Sequence, residues 1–327
     1  MDLGFYFCPC IVYTGVIYMI VNGYAYPTTV HTALNWWLPR LTWLSVFSYG
    51  ITESGRLTVL DDEELIRAAN NAGVRPLMVL APIDDKGQFA PDAFVAVLND
   101  PAARSSLLYE IQANIRTKGM GGINFDVEYL PAEYASAYAE FIKDMQKMLS
   151  PLGYLTTVAL APKISSDQKG VLYEGHDYKK LGEAADYCII MTYEWGYTYG
   201  EPLPVSPITN VRHVLEYGMS QIAPSKILMG LNNYGYDWTL PFIKGESRAE
   251  TLGNYQAAAR AEYYGVPVLW DETAMAPYFN YTDPYGREHI VWFENERSWQ
   301  ARIAMADEMG LAGVSIWTIK KIFYGGI

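Results

Sequence analysis

Residues 121–130 read GGINFDVEYL, placing Asn124, Asp126 and Glu128 at alternate positions between Ile123, Phe125 and Val127. Successive side chains of an extended chain point to opposite faces, so one face carries an amide and two carboxylates while the other is apolar. Taking two carboxylates out of water costs several kcal/mol unless they are paired or hydrogen-bonded. A carboxyl whose pKa is lifted by burial and by a charged neighbour can serve as a general acid, which is chemistry that such a face supports. The plainer reading makes Asp126 a core carboxylate held by backbone N–H groups and puts Glu128 on a solvated loop. It leaves the convergence of three polar groups unexplained.

These residues must be positioned by the elements around them. Short apolar runs of strand length recur at 17–24, 41–50, 74–82, 121–130, 155–162, 186–195, 226–236 and 313–319. Their near-continuous hydrophobicity suits strands buried on both faces of a parallel sheet. Helical patterns lie between them: residues 61–73 with an acidic first turn and a glycine stop, 131–153 with Pro131 near its start, and 298–310 before the last run. Eight strand-then-helix units predict an α/β fold, the (β/α)₈ TIM barrel, over residues 17–327, with strand C-termini gathering the functional groups.

One stretch breaks the rhythm. Residues 241–293 exceed a simple crossover, and their end reads as two strands joined at Asp283-Pro284-Tyr285-Gly286, a small β insertion between strands seven and eight. Residues 3–21 carry no charge over a length that could span a bilayer. Pro9, Gly4, Gly15 and the acidic Asp2, where a basic residue would be expected, instead favour an apolar leader over residues 1–16 ahead of the first strand, with no stable membrane span.

Composition narrows the function classes. The chain has 327 residues, half of them hydrophobic and 18% charged, enough for one large core. A formal charge of −12 without a basic run argues against nucleic acid as a partner. Three cysteines make no disulfide framework, and none of the four histidines is paired at metal-ligand spacing, so neither a metal nor another cofactor is expected. A monomer is expected. His176 and His213 lie in polar helical contexts and read as surface residues.

The stretch around Asp126 resembles the DGxDxDxE signature of family 18 glycoside hydrolases, the chitinase and endo-N-acetylglucosaminidase family, with Glu128 at the position of the acid. MTYEWGYTYG (191–200) resembles the family's Met-Tyr-Asp segment on strand six, and GVSIWTI (313–319) its tryptophan on strand eight. Strings such as VNGYAYP, FSYGIT, YEGHDY and YGYDWTLPF are most similar to the bacterial spore cortex-lytic and germination branch. Two departures stand out: Gly121 replaces the first aspartate of the signature and Asn124 the second. An amide cannot pass a proton to its neighbour, which bears on the pH profile, though Asn124 is expected to hold Asp126 by a hydrogen bond.

The resemblance implies substrate-assisted retention, in which the substrate's own N-acetyl carbonyl is the nucleophile. Glu128 would protonate the leaving oxygen and then activate water, Asp126 would accept a hydrogen bond from the acetamido N–H, and Tyr193 would donate to the acetamido oxygen. Trp317 would form the floor under the sugar at the cleavage point. Tyr24, Tyr49, Trp195, Tyr234, Tyr236 and Trp238, near strand ends, are further candidates for sugar contact, since aromatic faces suit the C–H faces of sugars. Glu194, one methylene longer than the family's aspartate, and Asn232 are candidates for hydrogen bonds to substrate. Tyr193 and Trp317 also have bland readings as core aromatics in a chain with 27 tyrosines.

The expected partner is an N-acetylglucosamine-containing polysaccharide, with peptidoglycan of the spore cortex or cell wall first and a spore or envelope location implied by the resemblance. Alternatives are a chitinase or endoglycosidase acting on other glycans, and a silent lectin-like binder, against which the presence of Glu128 argues. A metal-assisted hydrolase using Asn124, Asp126 and Glu128 as oxygen ligands is disfavoured, because alternate strand positions make a poor cage.

Overall fold

A computed structural model describes residues 19–83 and 89–323; the leader expected over residues 1–16 lies outside them. Seven strands come first: β1 (Ile20–Ala25), β2 (Trp43–Tyr49), β3 (Arg75–Leu80), β4 (Gly122–Phe125), β5 (Leu155–Leu160), β6 (Tyr187–Ile190) and β7 (Ile227–Asn232). Five more follow: β8 (Gly235–Thr239), β9 (Glu250–Leu252), β10 (Leu269–Asp271), β11 (Ala276–Thr282) and β12 (Glu288–Trp292). The last, β13 (Gly313–Trp317), pairs in parallel with both β7 and β1 and closes an eight-stranded ring with β1 to β7.

Each of the first six strands leads into helix before the next strand begins, the longest being Pro101–Lys118 between β3 and β4. That helix starts where Asp100 accepts the Ala102 N–H at 2.8 Å and ends at left-handed Gly119, a cap at each terminus. The helix Glu296–Glu308 precedes β13, capped by Asn295. No helix follows β13 among the described residues, so the eighth strand-then-helix unit expected from the sequence is not seen in them.

Strand alternation sorts the side chains. Ile123, Phe125 and Val127 face outward into the core between barrel and helices, with Leu107, Ile111, Phe141 and Ile142. Tyr24, Phe47, Leu77, Val79, Ile189 and Leu228 fill the barrel interior. Deeper in the ring, Ser45 Oγ donates to Asn22 Oδ1 and Asn22 Nδ2 to Ser315 Oγ, both at 2.9 Å, so the buried polar groups there are paired.

The apolar run at 226–236 is two elements and not one strand. The barrel strand ends at Asn232, and Gly235 already begins β8 of a separate antiparallel sheet ordered β10-β11-β12-β8-β9. The inserted unit therefore starts earlier than 241 and carries five strands and the helix Asn254–Tyr264. β11 and β12 pair on either side of the Asp283–Gly286 turn, with Thr282 opposite Glu288. One face of this sheet packs Tyr236, Trp238, Ala276 and Trp292 toward Tyr193 and Tyr234.

Candidate active site

β4 ends at Phe125, and the chain continues extended past the C-terminal edge of the barrel, so Asn124, Asp126 and Glu128 keep their common inward face. The Asp126 N–H donates to Leu80 O at 2.9 Å, tying this segment to the end of β3. Asp126 is buried and its Oδ1 has no hydrogen-bond partner among the described residues. Leaving a buried acceptor unpaired costs about 1–3 kcal/mol, a penalty that a ligand N–H would relieve. Glu128 is partly exposed, and its carboxyl makes no hydrogen bond to the described residues.

Both carboxyls titrate above their ordinary range. Removal from water is the leading cause for each, and at Glu128 the negative charges of Asp126 and then Glu194 add to it. Two carboxyls that resist sharing two negative charges favour a state with one proton, which is the arrangement a general acid requires.

Asn124 is not bonded to Asp126. It is fully buried, its Nδ2 donates to Tyr24 Oη at 2.9 Å, and its Oδ1 accepts from Thr157 Oγ1 at 2.8 Å. The hydrogen bond to Asp126 expected from the sequence is thus replaced by bonds to β1 and β5, which fix the amide as a brace under the pair.

Tyr193 lies just past β6, partly exposed, and no described group hydrogen-bonds its hydroxyl. Burial, then the charges of Tyr24, Asp126, Glu128 and Glu194, push that hydroxyl well above its ordinary pKa, so it stays a donor. Gly230 on β7 makes room for the ring: a Cβ there would lie 2.8 Å from Tyr193 Cε1 and from Ile190 O. Trp317, at the end of β13, is partly exposed and packs edge-on against Tyr24 (5.3 Å between ring centres) and Phe47 (4.9 Å). Glu194 receives the hydroxyls of Tyr234 and of Tyr236, the latter at 2.9 Å. Its residue surface is open on one side, yet loss of water around the carboxyl still raises its pKa against the lowering effect of both tyrosines. Tyr129 (φ 58°) and Glu194 (φ 70°) are two of three non-glycine residues with positive φ among the described residues, a conformation costing about 1–3 kcal/mol that collects at functional sites.

Several residues proposed from the sequence for sugar contact do not face this site. The register between β2 and β3 shifts between Val46 and Tyr49, turning Tyr49 into the outer core, where it donates to Asp62 and accepts from Lys118 Nζ at 2.8 Å. Trp195 also packs against the outer core. Trp238 is 1% exposed and its Nε1 donates to Gly200 O at 2.9 Å inside the inserted sheet's core. Asn232 is fully buried, accepting from Ser206 Oγ and donating to Tyr234 O at 2.8 Å. Tyr24 is 3% exposed and serves Asn124 and Trp317 from within the barrel. Tyr236 is 5% exposed and buttresses Glu194. Tyr234 is the partly exposed member of that group.

Two residues were missed. Tyr26, two positions beyond Tyr24 on the same strand face, packs 5.9 Å from Trp317 and lies under Lys320 Nζ at 4.0 Å. The period of two could have found it. His176 is the other, and it is buried, not superficial. Its Nδ1 accepts the Ala161 N–H at 2.8 Å and its Nε2 lies 3.0 Å from Val127 O. No local pattern announced that.

Two surface hollows of about 370 and 620 Å³ lie elsewhere on the molecule and contain none of these carboxylates. Among the described residues, no three His, Cys, Asp or Glu side chains are placed to hold a metal ion, and no helix is long and apolar enough to cross a membrane.

An eight-stranded parallel ring with an acid pair of raised pKa past strand four, a tyrosine past strand six and a tryptophan closing strand eight defines a glycosidase of the barrel class. The chain belongs to glycosyl hydrolases family 18, whose family model matches residues 46–321. It is 39% identical over 284 residues to the cortical fragment-lytic enzyme of Bacillus anthracis, covering 86% of this chain and 65% of that protein. It therefore spans a little under two thirds of that relative's length. The crystal structure of the Bacillus cereus spore cortex-lytic enzyme SleL superposes with a TM-score of 0.90 at 36% identity, covering 93% of this chain and 72% of that one. A chitinase from Chromobacterium violaceum superposes with a TM-score of 0.84 at 25% identity, over 92% and 94% of the two chains.

Proposed function

We propose that this glycosidase cleaves β-1,4 bonds beside N-acetylglucosamine in peptidoglycan, with spore cortex as the first substrate, by substrate-assisted retention. The observation that carries this reading is the buried, unpartnered Asp126 Oδ1 in the same acid pair as Glu128. Most buried polar atoms of a folded protein find a partner within it or in ordered water; this one is placed to accept an N–H that no described group supplies. An acetamido group offers that N–H, and its carbonyl can receive the Tyr193 hydroxyl.

In the first step Glu128 donates its proton to the glycosidic oxygen as the C1–O bond breaks. The acetamido oxygen attacks C1 from the opposite face, forming an oxazolinium ion whose positive charge Asp126 stabilises through the N–H. In the second step water attacks C1, giving its proton to Glu128 and reopening the ring, so the anomeric configuration is retained. Trp317 supplies the apolar floor on which the sugar ring is held during both steps.

The choice of peptidoglycan is supported by the names of the cortex-lytic relatives, and a site of action at the spore or cell envelope is the part of the proposal that follows from that substrate. The experiment is to digest purified cortex fragments, vegetative wall fragments and chitin oligomers side by side, identify the new reducing end by mass, and follow its anomeric configuration by NMR. New β-configured N-acetylglucosamine ends from cortex or wall material support the proposal. Faster cleavage of chitin oligomers would move the substrate to chitin, and α-configured first products would sink the retaining mechanism.

A further inference from the structure

We propose that His176 is a positioning residue for the acid pair, clamping the peptide between Asp126 and Glu128 to the end of β5. The inference rests on the reading of Glu128 as the general acid. Glu128 makes no side-chain hydrogen bond to the described residues, so nothing on its own carboxyl fixes where the acid points. Its direction is inherited from the backbone. The carbonyl of the preceding residue, Val127, lies 3.0 Å from His176 Nε2, and the Val127 side chain is fully buried in the outer core. Together they hold the peptide plane from which the Glu128 side chain departs.

The tautomer follows from the second contact. Ala161 N–H donates to His176 Nδ1 at 2.8 Å, so Nδ1 is the acceptor and the proton of a neutral ring sits on Nε2, facing Val127 O. The imidazole thus bridges the residue after β5 to the residue between the two acids, the latter 49 positions from His176 in the sequence. Burial keeps it neutral, lowering its pKa to about 4, with the opposing hydrogen bond to Val127 and the nearby Lys163 charge as smaller influences. A protonated ring would have to break its bond with Ala161, so the neutral form is the one that holds the clamp.

The surrounding loop is built to keep the ring in place. Lys163 Nζ donates to His176 O at 3.1 Å, and Tyr178 donates to Ala161 O while accepting from Lys163 N–H at 3.1 Å. Gly175 permits the approach: a Cβ there would stand 2.3 Å from Leu130 O, on the segment that follows Glu128. The loop therefore meets the acid-bearing segment at two points, Val127 and Leu130.

Paired substitutions separate positioning from plain stability. In His176→Gln the amide N–H reaches about as far as Nε2 and can still donate to Val127 O, while the contact with Ala161 is lost. In His176→Asn the shorter amide can still accept from Ala161 N–H and the contact with Val127 is lost. Each forfeits one hydrogen bond at the same buried place, so similar drops in melting temperature are expected. The positioning role predicts that kcat on soluble cortex fragments falls at least tenfold in His176→Asn with KM little changed, and less than threefold in His176→Gln. Equal kcat losses in the two variants, or losses that track melting temperature alone, would overturn the clamp. Glu128→Gln is the reference: if it stays fully active the acid assignment itself has failed, whereas an inactive Glu128→Gln beside a fully active His176→Asn defeats only the clamp.

Discussion

Two buried acidic clusters in this chain show opposite economies. In the inserted sheet, Asp237 is 4% exposed and each of its oxygens is used: Tyr281 Oη donates to Oδ2 at 2.6 Å, Arg260 pairs with the same oxygen, and His289 Nδ1 meets Oδ1 at 2.8 Å. At the barrel edge Asp126 is equally buried, yet its Oδ1 has no hydrogen-bond partner among the described residues, and its charge helps to raise the pKa of Glu128. A satisfied buried carboxylate stiffens a fold. One left unsatisfied beside a second acid stores a demand that a substrate can meet.

The comparison can be broken most directly at Glu128. Glu128→Gln should reduce turnover at least about 10²-fold while sugar binding persists, as expected for loss of a general acid; full turnover measured in a reducing-end assay would dismiss the barrel-edge half of the contrast. The converse holds for the inserted sheet. Asp237→Ala removes the acceptor of Tyr281 and His289 while Arg260 keeps its pair with Glu250, and should lower unfolding stability by about 1–3 kcal/mol in denaturant titrations, with kcat of the still-folded fraction within twofold of wild type. Tyr193→Phe should lower kcat more than it raises KM, since its hydrogen bond strengthens as the acetamido oxygen attacks; a change in KM alone would make Tyr193 a platform only.

A smaller effect lies in pH-dependent stability. Because the folded-state pKa of Glu128 is raised, the unfolded chain releases that proton at lower pH than the folded chain does, and stability falls as pH rises above the ordinary carboxyl range. Glu128→Gln should therefore melt higher than wild type at pH 7 and lose that advantage near pH 4; parallel melting curves would contradict the raised pKa. The smallest effect is expected at Tyr49→Phe, which removes the hydroxyl between Asp62 and Lys118. It should cost about 1 kcal/mol of stability and leave KM untouched, whereas a rise in KM would return Tyr49 to the sugar-facing surface.

The site was legible where it depended on alternation along one strand. Asn124, Asp126 and Glu128 share a face because adjacent side chains of extended chain oppose each other, and Trp317 ends β13 within its expected run, whereas β6 stops at Ile190 and leaves Tyr193 just beyond it. The aromatic candidates were less legible. Tyr49 has the composition and place of a cleft residue, but a one-residue irregularity against β3 reversed its side. Asn232 and Tyr236 belong to a run, 226–236, that looks continuous and is split between two sheets by the break before Gly235, and Trp238 continues the second of them.

By itself the amino-acid sequence determined the eight apolar strands, the helices between most of them, the inward row of polar groups and the membership in a family of glycosidases. Tertiary structure decided which of those groups stay unpaired: Tyr24 and Thr157 bind Asn124 from 100 and 33 residues away, leaving Asp126 free, and His176 grips Val127 from 49. The division has a physical cause. Backbone periodicity is a property of neighbouring residues, whereas the satisfaction of a buried polar atom depends on which distant segments the closed ring brings within about 3 Å of it.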